Sequence, residues 1–503
     1  MSARVPHLDL DLIARLRTDL AAADFTVTGV LDVLGPLASS ALLREQPLPA
    51  RRVAGASNAP AATLIRLFTL GDPVDVSEVD VALPTLRATG AVDLGLLDEE
   101  GDAVVARFDV RPYAADERHW WVVSDLAEVA TGSPVREDHV LGIGGASTTL
   151  AAWTIRRPVG TALDLGTGCG VQALHLGAHA DSIVATDLSE RALAFARFTA
   201  ALNDVHWDVR DGSMLEPVAG QRFDLIVSNP PFVITPRSGE VPLFEYRDGG
   251  AAGDAVVAGL VRSIGEHLEP GGVAQFLGNW EVPAGSTWTE RVGGWLDGAG
   301  VDAWVVQREV QDPAEYAETW SRDGGHHAGT ADFDAMYAAW LDDFASRDIE
   351  SIGLGVITLH RPTTDREPFL DLMDERGPVP LAMGEAVWVG LEARTWLAEH
   401  TDDEVLDRAW KATPDVTEER HTLPGASDPS VIVARQGGGL GRIITLSTVT
   451  AAYLSVADGE LTPRQAAGAI AGILDVDPAE TEREIVAFVR DAAKDALLVE
   501  AQA

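Results

Sequence analysis

At 503 residues the chain is longer than one hydrophobic core usually serves, so roughly two to four domains are expected. Its composition is 46% apolar with Gly and Pro spread along the length, which excludes a disordered chain, and no apolar run reaches the ~18–20 residues of a membrane span. A single cysteine, Cys169, excludes an internal disulfide and a Cys-based zinc site, and a net charge of −40 weighs against broad non-specific binding to nucleic acid.

The charge is uneven. Residues 1–70 carry seven Arg against six acids, which leaves −41 on the remainder. An acid-biased or salt-adapted host explains this as well as any partner does. The stretch Met1 to Leu20 lacks a signal-peptide core, so a soluble cytoplasmic protein is the expectation.

In chain order, residues 8–70 read as helical, with Leu8, Leu12, Ile13, Leu16 and Leu20 at helical spacing. Ala103 to Val110 alternates after the turn residues Asp98–Asp102 and reads as a hairpin. Helices followed by a hairpin resemble a winged-helix module, and a small α+β cap over an enzyme cleft fits the same pattern. From about 131 to 362, strands alternate with helices: Thr161–Leu165, Ile183–Asp187, Phe223–Ser228, Val273–Gly278, Ala303–Arg308 and Gly353–Leu359. That alternation predicts a parallel α/β sheet covered on both faces, with Leu268–Gly272 as a turn before the fourth strand. A boundary at Pro362–Pro368 leaves a mostly helical C-terminal unit, so the expected domains are 1–130, 131–362 and 363–503. Its helices starting at Thr462–Pro463 and Pro478 are too acidic for a recognition element, which favours packing or protein contact. Gln436–Arg442 lacks the Lys-Ser/Thr of a phosphate loop and reads as a hairpin turn. The neighbours His326 and His327 cannot both face one metal in regular structure, so they read as a loop pair and no metal is expected.

Four motifs carry chemistry, and their order matters more than any one alone. Asp164-Leu165-Gly166-Thr167-Gly168-Cys169-Gly170 follows a strand and precedes a helix, so its glycines let the backbone approach a ligand at a helix N-terminus. A dinucleotide fingerprint wants G-x-G-x-x-G, but here Val171 stands where the third glycine should be. An acid two residues before the first glycine suits an ammonium group, as in S-adenosyl-L-methionine, better than a pyrophosphate. Asp187, ending the next strand ahead of Leu188, can bind both ribose hydroxyls, and Asp211-Gly212 can accept an adenine amine. Last comes Asn229-Pro230-Pro231-Phe232. Its prolines fix the backbone and remove two N–H donors, so the Asn oxygen and the Pro230 carbonyl can take both hydrogens of an NH₂ group while Phe232 offers a stacking face. A poor, delocalised nitrogen nucleophile needs such positioning more than it needs a base.

Residues 138–282 resemble the class I methyltransferases of the small-methyltransferase group, which share an Asn-Pro-Pro-aromatic motif. The resemblance implies a seven-stranded Rossmann-like sheet and S-adenosyl-L-methionine at its carboxyl edge. It puts Asp164, Gly166, Gly168, Asp187, Asp211 and Asn229 in the roles above, and Thr167, Gly170, Leu188 and Gly212 complete the candidate cofactor residues. In related enzymes a segment such as Asp138–Thr149, with its glycines, closes over the cofactor. The group includes rRNA guanine-N2, adenine-N6 and release-factor glutamine-N5 enzymes. Phe232 is more usual among the base-modifying members, whereas Phe244–Gly250 loosely resembles the stretch that follows the motif in glutamine enzymes. An exocyclic amine in rRNA or tRNA is the favoured acceptor and a protein glutamine the alternative. A non-catalytic nucleic-acid-binding regulator is a third reading, against which the intact Asn-Pro-Pro-Phe argues.

Overall fold

The apolar runs singled out above are buried at most of their positions, as strands covered on both faces should be, and Val273–Gly278 is buried throughout. The strands of the main sheet are Val159–Leu165 (β1), Ala180–Asp187 (β2), Asp208–Asp211 (β3), Phe223–Ser228 (β4), Leu268–Pro283 (β5), Asp302–Gln311 (β6), Ile349–His360 (β7) and Leu370–Asp374 (β8). The structure is a computed structural model and describes residues 4–237, 241, 243–323, 325, 328–380 and 382–501; the pair His326–His327 lies outside them. The chain divides into two compact units, one of Met1–Ala151, Pro158–Ala299 and Glu309–Gly355, the other of Ala152–Arg157, Gly300–Arg308 and Val356–Ala503.

In the first unit β3, β2, β1, β4 and β5 lie in that order and pair in parallel, and β7 lies beside β5. The chain runs from β1 out to β3, then returns to β4 and β5 on the other side of β1. The order therefore reverses between β1 and β4, and loops leaving the carboxyl ends of such a pair diverge and open a crevice. The helix Glu190–Leu202 covers one face, capped by Ser189 and burying Phe195 and Phe198 completely.

Before the sheet, helices Leu10–Ala22, Val27–Leu42 and Leu48–Gly55 lead to a three-stranded antiparallel sheet of Val74–Asp75, Ala103–Ala106 and Leu97–Glu100. The stretch Ala103–Val110 is not one strand. Arg107 turns its guanidinium to Asp98 and the Gly95 carbonyl, and Phe108–Ala115 departs to pair with Arg118–Asp125 in a separate hairpin.

In the second unit β8 pairs in parallel with β6. Among the described residues, β8 is a strand beyond the seven that the resemblance implies. The C-terminal region is less purely helical than expected. Beside helices such as Gly384–Glu399, Pro463–Leu474 and Pro478–Lys494 it holds the antiparallel meander Val416–His421, Val431–Gln436 and Ile443–Leu446, in which Gln436–Arg442 is the expected hairpin turn. The expected turn Leu268–Gly272 is also corrected: β5 runs through it as an irregularity between Leu268 and Val273. Among the described residues no single helix is long and apolar enough to cross a membrane, and no cluster of three or more His, Cys, Asp or Glu could hold a metal.

Candidate functional site

The register of β1 on β4 decides the site. Asp164 stands opposite Val227 and Leu165 opposite Ser228, and the Ser228 hydroxyl donates to the Leu165 carbonyl at 2.8 Å. The loops beginning at Gly166 and Asn229 therefore leave the sheet side by side. They open on one cavity of about 220 Å³, far more than a water molecule requires.

Gly166, Thr167 and Gly168 line this cavity from the first loop, and Asp187 and Leu188 from the end of β2. Gly212 comes in after β3, and Asn229, Pro230 and Pro231 after β4. Asp164, Gly170, Asp211 and Phe232 are not lining residues. Asp164 is buried beneath the loop, where Oδ2 accepts from the Thr167 hydroxyl at 2.6 Å and the Ala173 N–H at 3.0 Å. Its Oδ1 has no partner. Burial pushes the Asp164 carboxyl up to about 7, against the pull of those two hydrogen bonds. Asp187 takes the Gly168 N–H at 2.9 Å and the Ser189 N–H at 2.9 Å, one on each oxygen, and burial raises its carboxyl as well. Asp211 is exposed at the end of β3. Phe232 sits edge-on to Trp320, with ring centroids 6.2 Å apart, in the apolar cluster of Val233, Ile234, Tyr316 and Trp340.

Asn229 is half buried, and its Oδ1 is a fully covered acceptor with no donor. Gly166 and Gly168 hold φ of +73° and +56°, with open space where a Cβ would stand. The segment Asp138–Thr149 supplies a wall through His139, Val140, Leu141, Gly142 and Ser147. It is tied down by the Gln172 amide on the Ser147 carbonyl at 2.8 Å, and by Arg191, which reaches both the Asp138 carbonyl and the Asp125 carboxylate. Motif reading missed the opposite wall, Glu245, Tyr246, Asp248 and Gly249. Its only signal in the sequence was the loose likeness of Phe244–Gly250 to one branch of the group.

A family profile for the methyltransferase small domain matches residues 145–295, which contain the cavity's glycine loop and its Asn-Pro-Pro. Residues 145–295 are a methyltransferase small domain. A second profile, described as a domain of unknown function, matches residues 22–107. A release factor glutamine methyltransferase of Geobacter sulfurreducens is 38% identical over 120 residues, 22% of this chain and 42% of that one. A ribosomal RNA small subunit methyltransferase C of Salmonella arizonae is 31% identical over 144 residues, 28% of this chain and 38% of that one. The chain thus spans less than half the length of either relative, and both matches are shorter than the small-domain match. Among solved structures, a T. thermophilus 16S rRNA N2 G1207 methyltransferase in complex with AdoMet and guanosine is 18% identical with a TM-score of 0.27, over 53% of this chain and 68% of that one.

Proposed function

We propose that the chain is an S-adenosyl-L-methionine-dependent N-methyltransferase acting on a planar NH₂ group, an exocyclic base amine of rRNA or tRNA in the cytoplasm. The observation that carries this reading is a pair of buried, unpartnered acceptors, Asp164 Oδ1 near the end of β1 and Asn229 Oδ1 just past the end of the adjacent β4. Buried polar atoms are almost always paired, so Asn229 Oδ1, on a residue that lines the cavity, can take a donor from a ligand, and Asp164 Oδ1 lies unpaired beneath the glycine loop of the same cavity. Asp164 suits an ammonium group. Gly166, Thr167 and Gly168 let a ligand lie close to backbone, while Asp187, Leu188, Asp211 and Gly212 hold its nucleoside part. The bound cofactor supplies a methyl group activated on a sulfonium. Asn229 Oδ1 and the Pro230 carbonyl accept the two amine hydrogens, which draws the nitrogen toward tetrahedral and aims its lone pair. The proton leaves after transfer.

The choice of a base is supported by residues 1–70, the least acidic part of the chain. It is also supported by the order helix, strand, two helices and hairpin from Pro60 to Ala106, which is that of a winged-helix module. The relatives' names divide between rRNA and release factor, so a protein glutamine is the alternative outcome of the test.

Methyl-labelled S-adenosyl-L-methionine should be offered separately to transcribed rRNA, tRNA and release factors, with Asn229→Ala as control. Label on RNA that the mutant abolishes is the expected result. Label on a release factor alone would move the acceptor to glutamine and keep the reaction. A protein that takes up no cofactor by calorimetry would be a scaffold, and the reading would fail.

A further inference from the structure

The wall opposite the glycine loop is built around a buried cation. Segment Phe244–Gly250 joins the acceptor motif by backbone: Phe232 bridges to Asp248, and the Val233 N–H donates to the Arg247 carbonyl at 3.1 Å. Tyr246 and Asp248 face the cavity, but Arg247 between them turns away. Its side chain is 2% exposed, and its guanidinium lies 4.5 Å from the Phe244 ring centroid and 5.8 Å from that of Trp320. Nη1 donates to the Trp320 carbonyl at 2.8 Å and to Asp323 Oδ2 at 2.9 Å. That carboxylate oxygen also accepts the Tyr246 hydroxyl at 2.7 Å. Burial and the neighbouring Asp323 raise the Tyr246 phenol, so it stays protonated and keeps donating. On its cavity side Tyr246 stands edge-on to His139, with centroids 6.2 Å apart. Nε and Nη2 of Arg247 have no acceptor.

Such a cation adds little to stability. Burial strips its water and only one of its edges is matched, so an apolar side chain of the same volume would fold as well or better. What it supplies is geometry: it fixes Asp323, and Asp323 fixes the Tyr246 ring. We propose that Arg247 is a positioning residue for acceptor recognition, acting through Asp323 to hold Tyr246 at the cavity wall where a flat, amine-bearing substrate enters beside Asn229. This rests on the N-methyltransferase reading. The helix Pro313–Asp323, which brings Trp320 and Asp323, lies beyond the 145–295 match, whereas Phe244–Gly250 lies within it.

The test compares Arg247→Met, Tyr246→Phe and Asp323→Asn with the full-length protein, using labelled S-adenosyl-L-methionine and transcribed rRNA as the acceptor. Arg247→Met keeps the volume and removes the unmatched donors, and Asp323, being 40% exposed, is not stranded. The expected result is an unchanged or higher melting temperature and unchanged cofactor Kd, with KM for the RNA raised about tenfold in both Arg247→Met and Tyr246→Phe. Asp323→Asn, which keeps an acceptor oxygen, should recover part of the loss. Wild-type KM in Arg247→Met and Tyr246→Phe would overturn the positioning role and leave the N-methyltransferase reading intact. A wild-type protein that transfers no methyl to RNA would overturn the RNA reading and this inference with it.

Discussion

Asp164 meets two needs with one carboxylate. Oδ2 holds the loop through Thr167 and Ala173, while Oδ1, which has no partner, is the atom proposed to meet the cofactor. Burial lifts its carboxyl to about 7, above the ordinary 3.8, so the folded state binds this proton more readily than the unfolded one. Folding stability contributed here therefore falls as pH rises from about 4 to 7. Cofactor binding runs the other way, because an ammonium group pairs with the ionised form. Affinity should be about tenfold weaker at pH 6 than at pH 8 and proton release should accompany binding at pH 6, as calorimetry in buffers of different ionisation enthalpy would show. Flat affinity from pH 6 to 8 would remove Asp164 from the cofactor site. Sequence spacing singles out this acid, since it stands two residues before the first glycine at the end of a strand. It could not show that the side chain lies under the loop, because that depends on which way the last residues of β1 point in the pleat.

At the scale of elements, the glycines of one motif do different work. Gly166 and Gly168 leave open space beside the cavity, whereas a Cβ on Gly170 would stand 2.6 Å from the Trp207 ring at a φ of +92°. Gly170→Ala should cost about 2–4 kcal/mol, the sum of left-handed strain and overpacking, and would be read as a lowered melting temperature. Tyr316 is a second junction. Its hydroxyl accepts the Ile234 N–H at 3.0 Å and the Asn279 amide at 2.7 Å, pinning the chain just past Asn-Pro-Pro-Phe to β5. Tyr316→Phe strands two buried donors and should cost about 1–3 kcal/mol for each in chemical unfolding. The parallel strands were legible because they are continuous apolar runs between helices, as in Phe223–Ser228. The short strands were not: Val416–His421 is mostly charged and exposed, and β8 has five residues just past Pro368. Such strands are specified by a neighbour's free edge more than by their own pattern.

At the scale of the whole molecule, the charge of −40 and the proposed RNA substrate pull against each other. A protein that held its RNA by phosphates would need several unpaired cations. Yet many arginines of the first unit already have acidic partners, as in Arg191–Asp125, Arg237–Asp248, Arg291–Asp254 and Arg347–Glu281. An arginine so paired releases few counterions when RNA arrives, because its charge is already balanced. Recognition of the proposed RNA would then come from a few local contacts and from a base entering the cavity, against a repulsion that salt screens over ~10 Å. Six to ten phosphate contacts would cost about 10³–10⁵ in affinity between 50 and 200 mM salt. Here the affinity for transcribed rRNA should change by less than about tenfold over that range, with a logarithmic slope no steeper than about −1.5 in titrations followed by filter retention. A slope near −6 would mean that the helices of residues 1–70 present a phosphate-binding face, with Arg15, Arg44 and Arg52 the first residues to replace. A weak slope together with methyl transfer would instead place the specificity in the cavity walls, the glycine loop on one side and the Tyr246 wall on the other.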